Sequence, residues 1–228
     1  MAGILYLVAT PIGNDDDITI RAVHTLRSAD LVVCEERPEG ERLLRRLDIQ
    51  KPIETLNEHN EAAATTVIVK ALQQGKSIAL ISDSGTPVFS DPGQLLVQRA
   101  VAAGIRVVPV PGASSLMPAL TVSGFPIDRF LYFGWLSPKK ERRRAELRLL
   151  IREPHTVVLL ETPYRLVPLL RDLTDVLGDR RRICLAWNLT MPDEQIYHGT
   201  PKSLFEKFSG KEMKGEFVLL IEGSRSGR

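Results

Sequence analysis

Glu35 and Glu36 follow the apolar run LVVC, Asp83 follows the apolar run IALI, and Glu58-His59-Asn60-Glu61 opens a helical pattern. A carboxylate or imidazole held at a strand end beside a ligand loop can take a proton from a reacting group. Glu35, His59 and Asp83 are therefore the candidate catalytic residues. A solvated loop acid at Glu35 and a structural role for His59 are the competing readings.

Three loops built from glycine, proline and small polar residues follow strand-like runs: VATPIGN over 8–14, SDSGTPVFSDPG over 82–93 and VPVPGASS over 108–115. Ligands of open α/β sheets lie beyond the carboxyl ends of the strands, and parallel strands would bring the three loops to one edge. The loops lack GK[ST] and G-x-G-x-x-G, the signatures of nucleotide phosphate cradles. They suit a non-phosphorylated, nucleoside-like ligand held by backbone groups and small side chains.

The positioning elements are read from hydrophobic period. Strands are expected at 4–8, 31–34, 78–81 and 106–110. The first helix is expected at 18–28, capped by the run Asp15-Asp16-Asp17, and a short amphipathic helix at 41–47. Another runs to about Gln73, capped by Asn60 and stopped by Gly75. Asp91 reads as the N-cap, and Pro92 as the first residue, of a helix that continues over 94–103, and 115–122 is a further helix that Ser114 or Ser115 can cap. Residues 123–129 break the period and mark a linker. Beyond it, 130–135 is a strand whose aromatics pack in a core or stack on a base. Ser137 is expected to cap a basic helix carrying Lys139, Arg142 and Arg143 on one face, where they meet phosphates or water. Strands at 156–160, 183–189, 194–198 and 217–221 follow, with helices ending at 178 and spanning 201–208; residues 224–228 read as a disordered tail.

With 228 residues, 43% of them hydrophobic, the chain is long enough for two compact α/β units. The expected domains are 1–122 and 130–228. Residues 1–128 carry 11 Lys and Arg against 15 Asp and Glu, whereas 129–228 carry 19 against 13. The basic half is expected to meet an anionic substrate. Cys34 and Cys184 lie far apart in apolar runs and read as buried thiols of a reducing compartment. Apolar runs are too short to span a membrane, so a soluble, cytoplasmic protein is expected.

The three loops, in this order and spacing, resemble the tetrapyrrole methylase family of S-adenosylmethionine-dependent methyltransferases, over nearly the whole chain. The resemblance is strongest to members that methylate a cytidine ribose 2′-hydroxyl in small-subunit ribosomal RNA. It implies two α/β domains, an N-terminal mostly parallel sheet and a C-terminal mixed sheet, with the cofactor cleft between them. It implies S-adenosyl-L-methionine as methyl donor, no metal, ribosomal RNA or the small ribosomal subunit as partner, and a homodimer. The donor contacts it implies are Pro11; Asp83, Ser84, Gly85, Thr86, Val88 and Phe89; Ser114 and Ser115; Leu160 and Glu161; and Glu216 and Phe217. Glu36, Arg37, Lys139, Arg142, Arg143 and Arg165 are the expected substrate contacts. The segment 35–40 departs from those members, and the turn 188–195 resembles tetrapyrrole-modifying ones. A methyltransferase for a tetrapyrrole or other small molecule is thus the alternative, and a non-catalytic RNA-binding protein on the same fold the second.

Overall fold

Ile78–Ile81, four consecutive buried apolar residues, is the central strand of the first unit, and its side chains go alternately to two different cores. Ala79 and Ile81 join one cluster with Val8, Leu26, Val32 and Leu44; Ile78 and Leu80 join another with Leu5, Ile68, Leu72 and Leu96. Burial on both faces is what a parallel strand covered by helices requires, and it explains the unbroken apolar run. In a computed structural model describing residues 2–211 and 214–224, the chain divides into two compact units, Met1–Ser114 and Ser115–Arg228. The tail expected at its far end lies, from residue 225 on, outside the described residues.

The first unit contains β1 (Ile4–Val8), α1 (Ile20–Ser28), β2 (Leu31–Cys34), α2 (Arg37–Arg46), β3 (Ile53–Thr55), α3 (Glu61–Gln73), β4 (Ile78–Ile81), α4 (Gln94–Ala102) and β5 (Arg106–Val110). Its sheet has the order β3-β2-β4-β1-β5 and every pairing is parallel. Helices α1 and α2 supply the core on one face, α3 and α4 that on the other. Each fully buried leucine contributes about 1.5–3 kcal/mol of transfer free energy.

The second unit contains α5 (Leu116–Val122), β6 (Phe130–Trp135), α6 (Lys140–Leu149), β7 (Thr156–Glu161), α7 (Leu166–Leu177), β8 (Ile183–Trp187), β9 (Gln195–Gly199), α8 (Pro201–Phe208) and β10 (Phe217–Ile221). The order is β6-β7-β10-β8-β9, with β6 parallel to β7 and the remaining pairs antiparallel. The mixed sheet expected for this half is therefore present. Among the described residues no helix is long and apolar enough to cross a membrane. Cys34 and Cys184 are buried and free, and burial pushes each thiol up to about 11.

Several local expectations are corrected. Helix α5 belongs to the second unit, where it packs against β10, whereas the sequence pattern placed residues 115–122 with the first domain. Asp15–Asp17 form their own 3-10 turn capped by Asn14, and Thr19 caps α1 by accepting from the Ala22 N–H at 3.1 Å. Helix α2 starts four residues earlier than expected, with Pro38 in its first turn. Strand β3, three residues at the sheet edge, had no recognised signal. The N-cap of α4 is Gly93, not Asp91, and that of α6 is Lys139, not Ser137. Ser137 instead accepts the Lys139 N–H in a local turn at 3.3 Å.

Candidate functional site

Val8 lies opposite both Ile81 and Val110, so β1, β4 and β5 end side by side and their loops leave from one sheet edge. The loops are knitted together there. Thr10 and Gly85 exchange backbone hydrogen bonds, Thr10 N–H to Gly85 O at 2.8 Å and Gly85 N–H to Thr10 O at 3.1 Å. The Thr10 hydroxyl donates to Ser82 O at 3.0 Å and the Thr86 hydroxyl to Ala113 O at 3.2 Å. A Cβ at Gly112 would stand 3.0 Å from Ala9 Cβ. Glycine is needed at 85 as well: φ is +86°, and a Cβ would lie 3.2 Å from Ile12 Cγ2.

The 82–93 loop departs furthest from ordinary backbone. Val88 and Ser90 have φ of 71° and 67°, conformations that cost a non-glycine residue about 1–3 kcal/mol and persist only where surroundings over-determine them. Those surroundings are present. The Ser82 hydroxyl donates to Asp91 Oδ2 at 2.5 Å while accepting the Ser84 N–H at 3.1 Å. Glu61 reaches from α3 to accept the Gly93 and Leu95 N–H groups at 2.8 and 3.2 Å, occupying the positive end of α4 with a carboxylate. The sequence reading missed Glu61, because its partners lie 32 and 34 residues away.

Carboxylates gather at the same edge. Glu35, half-buried at the end of β2, is raised above the usual glutamate range, first by burial and then by the negative charges of Asp91, Asp83, Glu36 and Glu58. Asp83 is raised by burial, against a lowering contribution from the Glu36 N–H that it accepts at 3.2 Å. Asp91 is raised by burial. The structure thus brings Glu35 and Asp83 into one electrostatic group. His59 stands exposed beside Glu58, 3.6 Å away, on the loop before α3. Glu36 is the exposed N-cap of α2; Arg37, in that helix's first turn, donates to Ile53 O at 2.7 Å. A small cavity on this edge is lined by Thr10, Pro11, Ser82 and Asp83 and, from α2, by Arg42 and Arg46. These two arginines were not singled out from sequence, although their i, i+4 spacing on one helix face was available; they pair with Glu39 and Asp15.

In the second unit Glu161 ends β7, buried, and pairs with Arg165 at 2.9 Å. Burial outweighs that cation and raises the carboxyl. Arg165 also donates to Leu136 O and Ser137 O, both at 2.9 Å, so its guanidinium is committed to tying two loops together. Phe217 is in the core, its ring stacked 6.0 Å from that of Trp187, and Glu216 accepts the Asn188 N–H on its carbonyl at 2.8 Å. Leu160, opposite both Trp135 and Val218, is buried.

The basic face expected on 139–143 is corrected at one residue. Lys139 and Arg142 are exposed, Arg142 leaning on Glu146 at 3.2 Å. Arg143 is only 6% exposed; it bonds Asp172 from Nε at 2.8 Å and Pro138 O from Nη1 at 3.2 Å. It is a strut between α6 and α7, not a phosphate contact.

Comparison with known proteins places these loops in context. A family model described as Tetrapyrrole (Corrin/Porphyrin) Methylases matches residues 4–204. A ribosomal RNA small subunit methyltransferase I from Synechocystis sp. is 44% identical over 222 residues, covering 97% of this chain and 80% of the relative. The protein of the same name from Haemophilus influenzae is 43% identical over 98% of this chain and 80% of its own length. Among solved structures, uroporphyrin-III-C-methyltransferase from Thermus thermophilus superposes with a TM-score of 0.67 at 20% identity, covering 96% of this chain and 94% of that one. A diphthine synthase superposes with a TM-score of 0.74 at 13% identity, over 97% and 90%. The two structures share the fold with this chain.

Proposed function

The chain belongs to the tetrapyrrole (corrin/porphyrin) methylase family, and on that premise we propose that it transfers a methyl group from S-adenosylmethionine to a ribose 2′-hydroxyl of small-subunit ribosomal RNA. The observation that carries the acceptor class is the 44% identity, across 97% of the chain, to a methyltransferase named for that RNA.

The donor fits the loops of the first unit. The positive-φ backbone at Gly85 lets this loop pack closely against Ile12 and residues 113–114, where a Cβ would press, and the loop edge so formed is the proposed donor surface. Pro11, residues 83–86, Val88, Phe89, Ser114 and Ser115 are its proposed contacts, with Leu160, Glu161, Glu216 and Phe217 retained from the family pattern. The donor, when bound, supplies a methyl group already activated on a sulfonium. The protein's task is then to orient the acceptor and exclude water.

A ribose hydroxyl is a weak nucleophile, and Glu35 is the proposed general base. Burial and four neighbouring carboxylates make its ionised form more avid for a proton than an ordinary glutamate. Asp83 is partly engaged by the Glu36 N–H and has the supporting role; His59 and Glu36 are proposed to face the acceptor. Lys139 and Arg142 are the proposed phosphate contacts in the second unit. A cytoplasmic homodimer is the working form proposed, supported by the opposite charge of the two halves; light scattering at micromolar concentration checks it, a monomeric mass refuting it.

Transfer of labelled methyl groups to unmethylated small ribosomal subunits, run beside a tetrapyrrole panel, tests the function. Label is expected in the RNA at a 2′-oxygen. Label only in tetrapyrroles would overturn the acceptor, and label in neither, with no calorimetric heat on adding donor, would overturn the enzyme.

A further inference from the structure

Strand β6 is the edge strand of the second sheet and carries a register shift between Tyr132 and Gly134, where φ of Gly134 is +79°. The shift decides where Trp135 points. Leu131 and Phe133 pack against the core cluster that contains Val157 and Leu159, and uninterrupted alternation would send Trp135 to that same face. After the bulge Trp135 is instead opposite Leu160, two residues beyond the Tyr132–Val158 pair, and therefore on the other face. It is 48% exposed there. A strand that spends an irregularity on turning an indole out of its core needs a reason outside the core.

At the same sheet end, the 3-10 turn Pro163–Arg165 following β7 carries Tyr164, 87% exposed. The two aromatic segments are held as one body. Arg165 ties the β7 turn to Leu136 O and Ser137 O immediately after Trp135, Ser137 N–H donates to Glu146 at 2.8 Å, and Pro138 O accepts from Arg143. Exposed Lys139, Lys140 and Arg142 follow directly on this braced loop. Two exposed aromatic faces on a rigid support, flanked by cations, are the components with which proteins hold unpaired nucleotides: rings stack on bases and cations meet phosphates.

We propose that Trp135 and Tyr164 form a stacking platform for unpaired bases of the RNA acceptor, with Lys139, Lys140 and Arg142 on the adjoining phosphates. The proposal rests on the RNA reading above and adds a requirement for single-stranded RNA at this surface.

Tryptophan fluorescence tests it, because the chain has two tryptophans and the other, Trp187, is buried against Phe217. Titrating the full chain with an unstructured oligouridylate should quench the wild type, whereas Trp135→Leu should show no quenching and unchanged Trp187 emission. Trp135→Leu and Tyr164→Ala should each weaken binding about 5- to 150-fold, the range of one lost base stack, at unchanged salt slope, since no phosphate contact is removed. A fully paired RNA duplex should leave the emission unquenched. Salt-dependent oligouridylate binding without quenching, with both variants at wild-type affinity, overturns the platform and leaves the RNA reading standing; equal quenching by duplex also overturns it. Absence of binding to either RNA at low salt overturns both.

Discussion

Arg143 and its neighbours give the sharpest separation between a cation that supports the fold and cations that meet a substrate. The Arg143 and Asp172 side chains are 8% and 2% exposed and pair at 2.7 Å. Replacing Arg143 with Ala leaves buried Asp172 with the longer contact to Arg144 at 3.9 Å, for which the expected loss is about 3–5 kcal/mol. At about 2.1 cal/mol/K per residue, the 228 residues unfold with an entropy of about 480 cal/mol/K, so the midpoint of a cooperative melt should fall by about 6–10 °C. Replacing both partners with apolar residues, Arg143→Met with Asp172→Leu, removes the buried carboxylate and should recover most of that loss. RNA binding divides the other way. The double apolar variant should bind with wild-type affinity and salt slope, while Lys139→Glu with Arg142→Glu should melt like the wild type and lower the log–log salt slope by about 1.4–1.8, two phosphate contacts' worth. Differential scanning calorimetry and filter binding across a salt series measure both. An Arg143→Ala protein as stable as the wild type would refute the strut, and a reduced salt slope in the apolar pair would return Arg143 to the substrate.

Gly85→Ala is expected to cost about 1–2 kcal/mol for the left-handed backbone and, by pressing on Ile12, to weaken S-adenosylmethionine binding at least tenfold by calorimetry; a folded variant with unchanged affinity would remove this loop from the donor site. Ser114→Trp should lose donor binding with little change in melting temperature, and an unaltered binding isotherm would argue against contact at that residue. Glu35→Gln should slow methyl transfer yet raise stability at neutral pH. The sign follows from the raised carboxyl: the folded state holds this proton more tightly than the unfolded chain, so its contribution to stability is full below the ordinary glutamate pKa of 4.5 and is lost as pH rises through the higher folded value. A glutamine variant less stable than wild type at pH 7, or equally active, would remove Glu35 as the base.

The unbroken apolar runs at 78–81 and 183–187 and the three glycine-bearing loops were enough to read an α/β chain with its ligand edge at strand ends, because burial pattern and turn chemistry are local properties. The parallel pairing then brought Thr10 against Gly85, and Thr86 against Ala113, within hydrogen-bonding distance, as the loop spacing anticipated. Caps and partners were less legible. Asp91 carries every local mark of an N-cap, yet Ser82 takes its carboxylate and Glu61 serves α4 instead, a choice made by the packing of α3 beside α4. Strand β3 escaped notice because three edge residues need only a neighbour's backbone and little apolar pattern. Lys139, Arg142 and Arg143 look alike in one dimension. Only the docking of α6 on α7 separates them, burying the Arg143 guanidinium against Asp172 and leaving the other two cations exposed, and only the register shift in β6 turns Trp135 out of the core. Pairwise burial of this kind depends on which surface each side chain meets, a property of assembled elements that no local spacing encodes.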